Sequence, residues 1–275
     1  MTQKTDNSRR DGPSVAIMVP LSDRENLTLE EEISLRHLRH YLGHYDKYLV
    51  IPRGMRARQA GFEVKEFNRR FFGSPDAHKR LLLSQTLYER FASYDYLLTY
   101  HLDALVFSDQ LADWCEAGYD YIGAPWIPCS DLPWCEEPAV GNSGFCLRSI
   151  DSALKVLDSN RFTVDPDEYW RRLTHGRSAL SRTINLPRRY LKRFRTFNGI
   201  RRHAARTKTN DDRFWSRYAT HYYPGFRIAP VDRALEFAFE AAPRKCLEMN
   251  DGRLPFGCHA WSTYDRQFWE PFLLK

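Results

Sequence analysis

Residues 94–107, YDYLLTYHLDALVF, decide the reading of this chain. The stretch opens as an aromatic, apolar strand, meets one carboxylate at Asp103, and resumes as an apolar run with no turn residue between. A continuous apolar run of this kind fits a strand buried on both faces of an α/β sheet. An ionised Asp at its end is costly unless paired or bound to a metal. Strand ends are also where ligands sit in open α/β sheets, because the connecting loops diverge there and leave a crevice. Asp103 is therefore the first candidate for chemistry.

Outward from this stretch, strand and helix patterns alternate. Residues 15–21 (VAIMVPL) have the composition of a buried first strand, and Thr28-Leu29-Glu30-Glu31 is a capping box that opens a helix running to about Leu42. Residues 47–52 and 62–67 are the next strands. Leu81, Leu82, Leu83, Leu87 and Phe91 recur at helical spacing within 75–91. A short helix near 109–116 and a strand over 119–123 follow. This order predicts a mostly parallel sheet covered by helices, an α/β fold. Residues 128–138, rich in Pro, Cys and acids, read as a loop, and 140–148 (VGNSGFCLR) as a glycine-opened strand before a helix that starts near Asp151. No repeat or linker divides the chain. The expected organisation is a flexible tail at 1–13 and one domain over 14–275, interrupted by a basic insertion at about 165–208.

The 275 residues, 43% hydrophobic and 14% aromatic, suffice for the core of an enzyme-sized domain. No apolar run approaches the roughly 18 residues of a membrane span. The N-terminal residues carry charges and no apolar h-region, so a secretory signal is not expected. The six cysteines form no CxxC pair and no zinc spacing, and are expected to be reduced, buried small hydrophobes. Cys258 adjoins His259, but sequence neighbours rarely face each other as nucleophile and base. The default compartment is the cytoplasm, with a peripheral place at the inner face of the membrane as its extension. Charge is unevenly distributed: residues 171–208 hold thirteen Lys or Arg and no acid, so with a net charge of +6 the remainder carries −7.

Four clusters carry possible chemistry: Asp103, the glycine motif at 141–145, Asn210-Asp211-Asp212, and LPFGCHAW at 254–261. Each has a bland reading. Asp103 fits a turn cap as well as a ligand. Asn210 or Asp211 fits the N-cap of a helix starting near Phe214. His259 fits a satisfied core histidine, and Gly141 and Gly144 a bulge.

Taken together, HLDALVF, GYDYIGAPW, VGNSGFCLR, NDDRFW and LPFGCHAW resemble the successive signature segments of a bacterial glycosyltransferase-like family with the GT-A fold, long known as a domain of unknown function. The resemblance covers roughly residues 15–271. It implies a nucleotide-sugar donor, a glycan or lipid-linked acceptor, and a divalent metal, Mn²⁺ or Mg²⁺, at a short acidic motif. That motif falls on His101-Leu102-Asp103, with His101 where the first acid usually stands, and His259 matches the histidine that completes coordination. The metal would bridge the diphosphate oxygens and neutralise charge on the leaving group. The resemblance further implies close backbone approach of Gly141, Asn142, Ser143 and Gly144 to donor or acceptor. Asp212 would be the base of an inverting transfer, with Asp211 as its positioning acid. Val19 and Pro20 would lie against the nucleotide base, Lys79 or Arg80 at the diphosphate, and Trp126 stacked on a sugar. Core filling competes for Trp126, and solvated helix charge for the two cations.

The basic segment reads as nucleic-acid-binding on composition alone. Tyr190, Leu191, Phe194 and Phe197 instead form an apolar stripe among arginines, the pattern of an amphipathic helix on an anionic membrane surface, which makes nucleic acid the weaker partner. Docking of that stripe on the protein's own core is the ordinary alternative. Two rival functions stand beside glycosyl transfer: a nucleotidyl- or phosphotransferase on a similar sheet, and a non-catalytic polyanion- or membrane-binding module.

Overall fold

The computed structural model describes residues 12–21 and 26–274; most of the tail expected at 1–13 lies outside the described residues. Strand β1 (Val15–Pro20) alternates, with Val15, Ile17 and Val19 buried on one face and Ala16 and Met18 on the other. Helix α1 (Leu29–Leu42) starts at the capping box: Thr28 Oγ1 accepts from Glu31 N at 3.3 Å and Glu31 Oε2 from Thr28 N at 2.7 Å. Strands β2 (Asp46–Pro52) and β3 (Glu63–Phe67) follow. The helical pattern over 75–91 is two helices, α2 (Pro75–Leu82) and α3 (Gln85–Glu89). They separate because Ser84 restarts the helix as an N-cap, its Oγ accepting from Leu87 N at 3.3 Å.

The stretch at 94–107 is two strands, not one. Strand β4 (Tyr96–Tyr100) ends in a turn through Leu102 and Asp103, closed by Ala104 N donating to His101 O at 3.0 Å, and β5 (Leu105–Val106) enters a different sheet. Then come α4 (Leu111–Glu116), β6 (Tyr121–Gly123), the short pair β7 (Pro125–Trp126) and β8 (Ala139–Val140), and β9 (Phe145–Ser149) leading into α5 (Ile150–Leu157). Residues 165–208 contain α6 (Pro166–Thr174), α7 (Ala179–Leu191), α8 (Arg195–Asn198) and α9 (Ile200–Arg206). The chain finishes with α10 (Asp211–Tyr222), α11 (Val231–Phe237), β10 (Ala238–Phe239), α12 (Pro243–Met249), β11 (Gly257–Cys258) and α13 (Arg266–Trp269).

The main sheet has the order β3-β2-β1-β4-β9-β6. Its first four strands are parallel, while β9 runs antiparallel to both β4 and β6. This is the mostly parallel, helix-covered α/β sheet expected from the sequence. One face packs Ile17, Val19 and Leu49 on Leu35 and Leu38 of α1 and Trp114 of α4. The other packs Met18 and Val50 on Leu82 and Leu87, and on Phe214 and Trp215 of α10. A second sheet, β10-β11-β5, is sealed by Phe239, Trp261 and Trp269.

The second sheet positions the chemistry. β10 and β11 are parallel, so Glu240 and His259, each one residue past a strand end, emerge at the same side. β5 is antiparallel to β11, so Asp103, which precedes it, emerges there too. Trp261 N donates to Asp103 O at 3.2 Å, and His259 N to Phe239 O at 2.9 Å. Where β4 ends and β9 begins, His101 N donates to Gly144 O at 2.7 Å. The corner that hides a turn in an apolar run is thus the junction of two sheets.

Candidate active site

A cleft of about 820 Å³ opens at the C-terminal ends of β1 and β4, where neighbouring parallel strands connect in opposite directions. Its wall includes Pro20, Phe71, Phe72, Ser74, His101 and Asp103. Val19 is fully buried beneath it. Lys79 and Arg80 are not in that wall. Lys79 Nζ is held by Thr207 O at 3.0 Å and Asp76 at 2.7 Å, and Arg80 Nη2 donates to Arg70 O at 3.2 Å, so both cations are committed to the protein's own backbone and surface.

His101, Asp103 and His259 come together, with one donor atom from each lying within 4.8 Å of the others. His259 is fixed from behind. Its Nδ1 lies 2.7 Å from Glu240 Oε1, which points Nε2 toward Asp103, 3.2 Å from Oδ1. Nε2 is closed off from solvent and makes no hydrogen bond at that distance, so its direction does not serve one. A carboxylate behind an imidazole whose other nitrogen faces a second carboxylate is the usual support of a metal-binding histidine. His101 Nε2 meets His78 Nε2 at 3.0 Å. Burial, with His78 and His259 adding, holds the His101 pKa well below the ordinary imidazole value and keeps the ring neutral, as a ligand must be. Burial opposes charge on Asp103, but His259 outweighs it and holds the carboxyl well below the usual range. Burial also opposes charge on His259, whose pKa Asp103 and Glu240 nonetheless raise to about 10. A positive charge is therefore favoured between these carboxylates, and the three donors fit a divalent cation.

The glycine motif shapes this centre. A Cβ on Gly144 would stand 1.9 Å from His259 Nε2, and one on Gly141 would stand 2.0 Å from the Trp126 ring, so neither position tolerates a side chain. Asn142 adopts φ 79° and is buried, its Oδ1 accepting from Gly144 N and Phe145 N at 2.8 Å each. Ala260, directly after His259, also has positive φ, at 52°. Left-handed backbone at a non-glycine costs on the order of 1 kcal/mol and persists where the surroundings impose it. Here it brackets the donor set.

Ser143 Oγ donates to Asp211 Oδ1 at 2.7 Å, and Arg148 Nη2 to Asp211 Oδ2 at 2.9 Å. Arg148 is fully buried, its guanidinium over the rings of Tyr121 and Trp215. Asp211 is thus spent on structure, and the helix expected near Phe214 starts at Asp211 itself. Asn210 holds the N-cap position without a side-chain cap bond. Asp211→Ala would leave the buried guanidinium unpaired and is expected to cost about 3–5 kcal/mol of unfolding free energy, measured by urea denaturation; an unchanged midpoint would refute the pairing. Asp212, half-buried at the next position, accepts from Arg213 N at 2.6 Å. Burial first, then the charge of Asp211, with Glu240 adding, raises its pKa to about 7.

Trp126 is buried over Gly141 and meets Trp134 edge to face at 5.2 Å, so it fills core. The exposed ring is Trp134, 44% exposed, with Arg213 4.0 Å from its centroid. Sequence reasoning missed Trp134, Arg148 as a buried partner, His78 and Glu240. Only Glu240 left a signal, an acid at the end of the short FAFE run at 237–240. The six cysteines are free, and burial pushes the Cys258 thiol well above its ordinary value, so Cys258 is no nucleophile.

No curated protein matches the chain in sequence. Among solved structures, a glycosyltransferase involved in the glycosylation of the major capsid of PBCV-1 is similar over 94% of this chain and 98% of its own, at 14% identity and a TM-score of 0.48. Apo glycosyltransferase GlyE of Streptococcus pneumoniae TIGR4 is similar over 95% of this chain, at 14% identity and a TM-score of 0.46, and this chain spans 60% of GlyE. Galactosyltransferase LgtC, in complex with donor and acceptor sugar analogs, is similar over 94% of this chain and 96% of its own, at 11% identity and a TM-score of 0.44. The sequence profile of the proteins of unknown function designated DUF5672 matches residues 61–259, and the chain belongs to that family.

Proposed function

We propose that the chain is a GT-A-like glycosyltransferase, moving a sugar with inversion from a nucleotide-sugar to a glycan or lipid-linked acceptor. One observation carries the reading: His101, Asp103 and His259 bring three donors together where a cation would fit, two of them in the wall of the strand-end cleft, beside the glycine motif whose Ser143 grips Asp211. Asp103, His259 and His101 would hold the cation, and two imidazoles with one carboxylate favour Mn²⁺ over Mg²⁺. When bound, it would offset the charge gathering on the departing nucleoside diphosphate. Pro20 would lie against the nucleotide base. Gly144, by lacking a side chain, would let His259 stand against the motif in the pose a ligand needs, and Gly141 does the same for the Trp126 ring. Asp212 would accept the proton of the acceptor hydroxyl as it attacks the anomeric carbon. Asp211, gripped by Arg148 and Ser143, would fix the first turn of α10 and so the direction of Asp212. Trp134 would offer the acceptor the aromatic face that the buried Trp126 lacks.

The test is product analysis over a panel of UDP-, GDP- and dTDP-sugars with Mn²⁺. Release of nucleoside diphosphate is expected; release of pyrophosphate would assign nucleotidyl transfer instead and sink this reading. Binding is measured separately by thermal shift. Mn²⁺ is expected to raise the melting temperature more than Mg²⁺, with about 2.7 kcal/mol of stabilisation at a hundredfold excess over Kd. No shift with any metal or nucleotide-sugar would remove the donor site.

A further inference from the structure

Helix α7 faces the wrong way for an ordinary surface helix. The side turned to α6 is polar: Asn185 is buried, Arg189 lies over the Trp170 ring at 5.3 Å, and Lys192 lies over Tyr169 at 4.9 Å. Arg189 and Arg193 share Asp167, each at 3.4 Å. The apolar side faces water. Leu180, Ile184 and Leu191 are 71%, 69% and 44% exposed, Tyr190 is exposed beside them, and Phe194 and Phe197 continue the strip beyond the helix end. Seven of the fourteen exposed large hydrophobic residues among the described residues fall between Leu180 and Phe197. At about 3.6 residues per turn, Leu180, Ile184 and Leu191 share one side of α7, turned away from Asn185 and Arg189, with Arg188 along a border and Arg195 exposed between Phe194 and Phe197. The strip therefore does not dock on the protein's own core.

Charge identifies what covers it. Residues 171–208 carry thirteen cations and no acid, and Asp167 is already used on the inner face. A polyanionic nucleic acid would engage the arginines but gives no role to exposed Leu and Ile. A second copy laid strip against strip would bring two basic segments together with no acid in either to offset them. A bilayer with acidic headgroups meets both demands, taking apolar side chains at the acyl boundary and guanidiniums among the phosphates.

We propose that residues 178–198 dock the protein on an anionic lipid surface. The experiment is flotation of the full chain with phosphatidylcholine vesicles and with vesicles that also contain phosphatidylglycerol. Wild type is expected to float with the acidic vesicles alone, and less as salt rises. Arg188→Ala and Arg195→Ala are each expected to weaken partitioning about fivefold. Ile184→Asp with Leu191→Asp is expected to abolish it while leaving the melting temperature unchanged. The proposal is overturned if wild type floats with neither vesicle, or if the Asp pair floats like wild type. It is equally overturned if the Asp pair melts early or dissociates a dimer seen by light scattering, or if nucleic acid binds with no sensitivity to the Asp pair.

Discussion

Asp212→Asn is expected to lower transfer by about 10²–10⁴-fold and, at pH 8, to make the protein more stable. The two effects share one cause. Burial and the neighbouring charges of Asp211 and Glu240 lift the Asp212 pKa to about 7, so the ionised form needed to accept a proton is held at a cost to the fold. The sign is fixed by linkage. Below about pH 4 the carboxyl is neutral in both folded and unfolded chains, and nothing is lost. As pH rises toward 7 the unfolded chain releases its proton first, so folding loses stability through that window; above 7 the loss is complete. Asparagine keeps the shape and removes the charge, at the expense of a favourable anion in the first turn of α10. The net gain above pH 7 is on the order of 2 kcal/mol, or about 5 °C in Tm, shrinking toward zero at pH 4. For the wild type, kcat/KM should fall as pH drops below about 7, a limb absent from the residual activity of Asp212→Asn. Thermal melts and pH–rate profiles measure both. A variant that melts lower at pH 8, or a wild-type profile flat from pH 5 to 8, would refute the role given to this acid.

What the sequence reveals follows how local its causes are. The capping box of α1 is legible because both reciprocal hydrogen bonds lie within four residues. β1 is legible because burial on both faces leaves no polar position to interrupt the run. The turn after Tyr100 is not. It uses neither Gly nor Pro, and its cause is nonlocal: β5 leaves β4's sheet to pair with β11, some 150 residues further along the chain. The antiparallel direction of β9 is equally invisible, since Phe145–Ser149 has the same apolar alphabet as the parallel strands. At the site, Asp103, His259 and the two glycines are marked by rare residue types in short motifs. Glu240 is marked only by the short apolar run it ends, and Arg148 by nothing but its burial and partners. The basic segment shows a different failure: the spacing of Tyr190, Leu191, Phe194 and Phe197 reads as one helical stripe, but α7 ends at Leu191, its apolar side begins at Leu180, and spacing could not tell that this side faces water.

Gly144→Ala is expected to have the consequence of removing His259, although the two residues stand 115 positions apart. An added Cβ would fall 1.9 Å from His259 Nε2, and that ring has little room to retreat. Glu240 holds Nδ1 at 2.7 Å, Asn142 Nδ2 stands 3.1 Å from the same nitrogen, and the following residue is already at positive φ. Overpacking of this kind costs about 1–3 kcal/mol, while displacement of a ligand costs far more in metal affinity than in stability. Both Gly144→Ala and His259→Ala should therefore lose the Mn²⁺-dependent thermal shift and at least about 10²-fold in activity, beyond the 10–100-fold affinity loss typical of disturbing a supporting partner. The double variant should be no worse than His259→Ala, because once the imidazole is gone the methyl at Gly144 has nothing to displace. Strict additivity of the two losses would mean that they act at independent sites. In that event the glycine would serve the sheet junction alone, through the bond between His101 N and Gly144 O, and the donor set would have to be held together by something other than this contact.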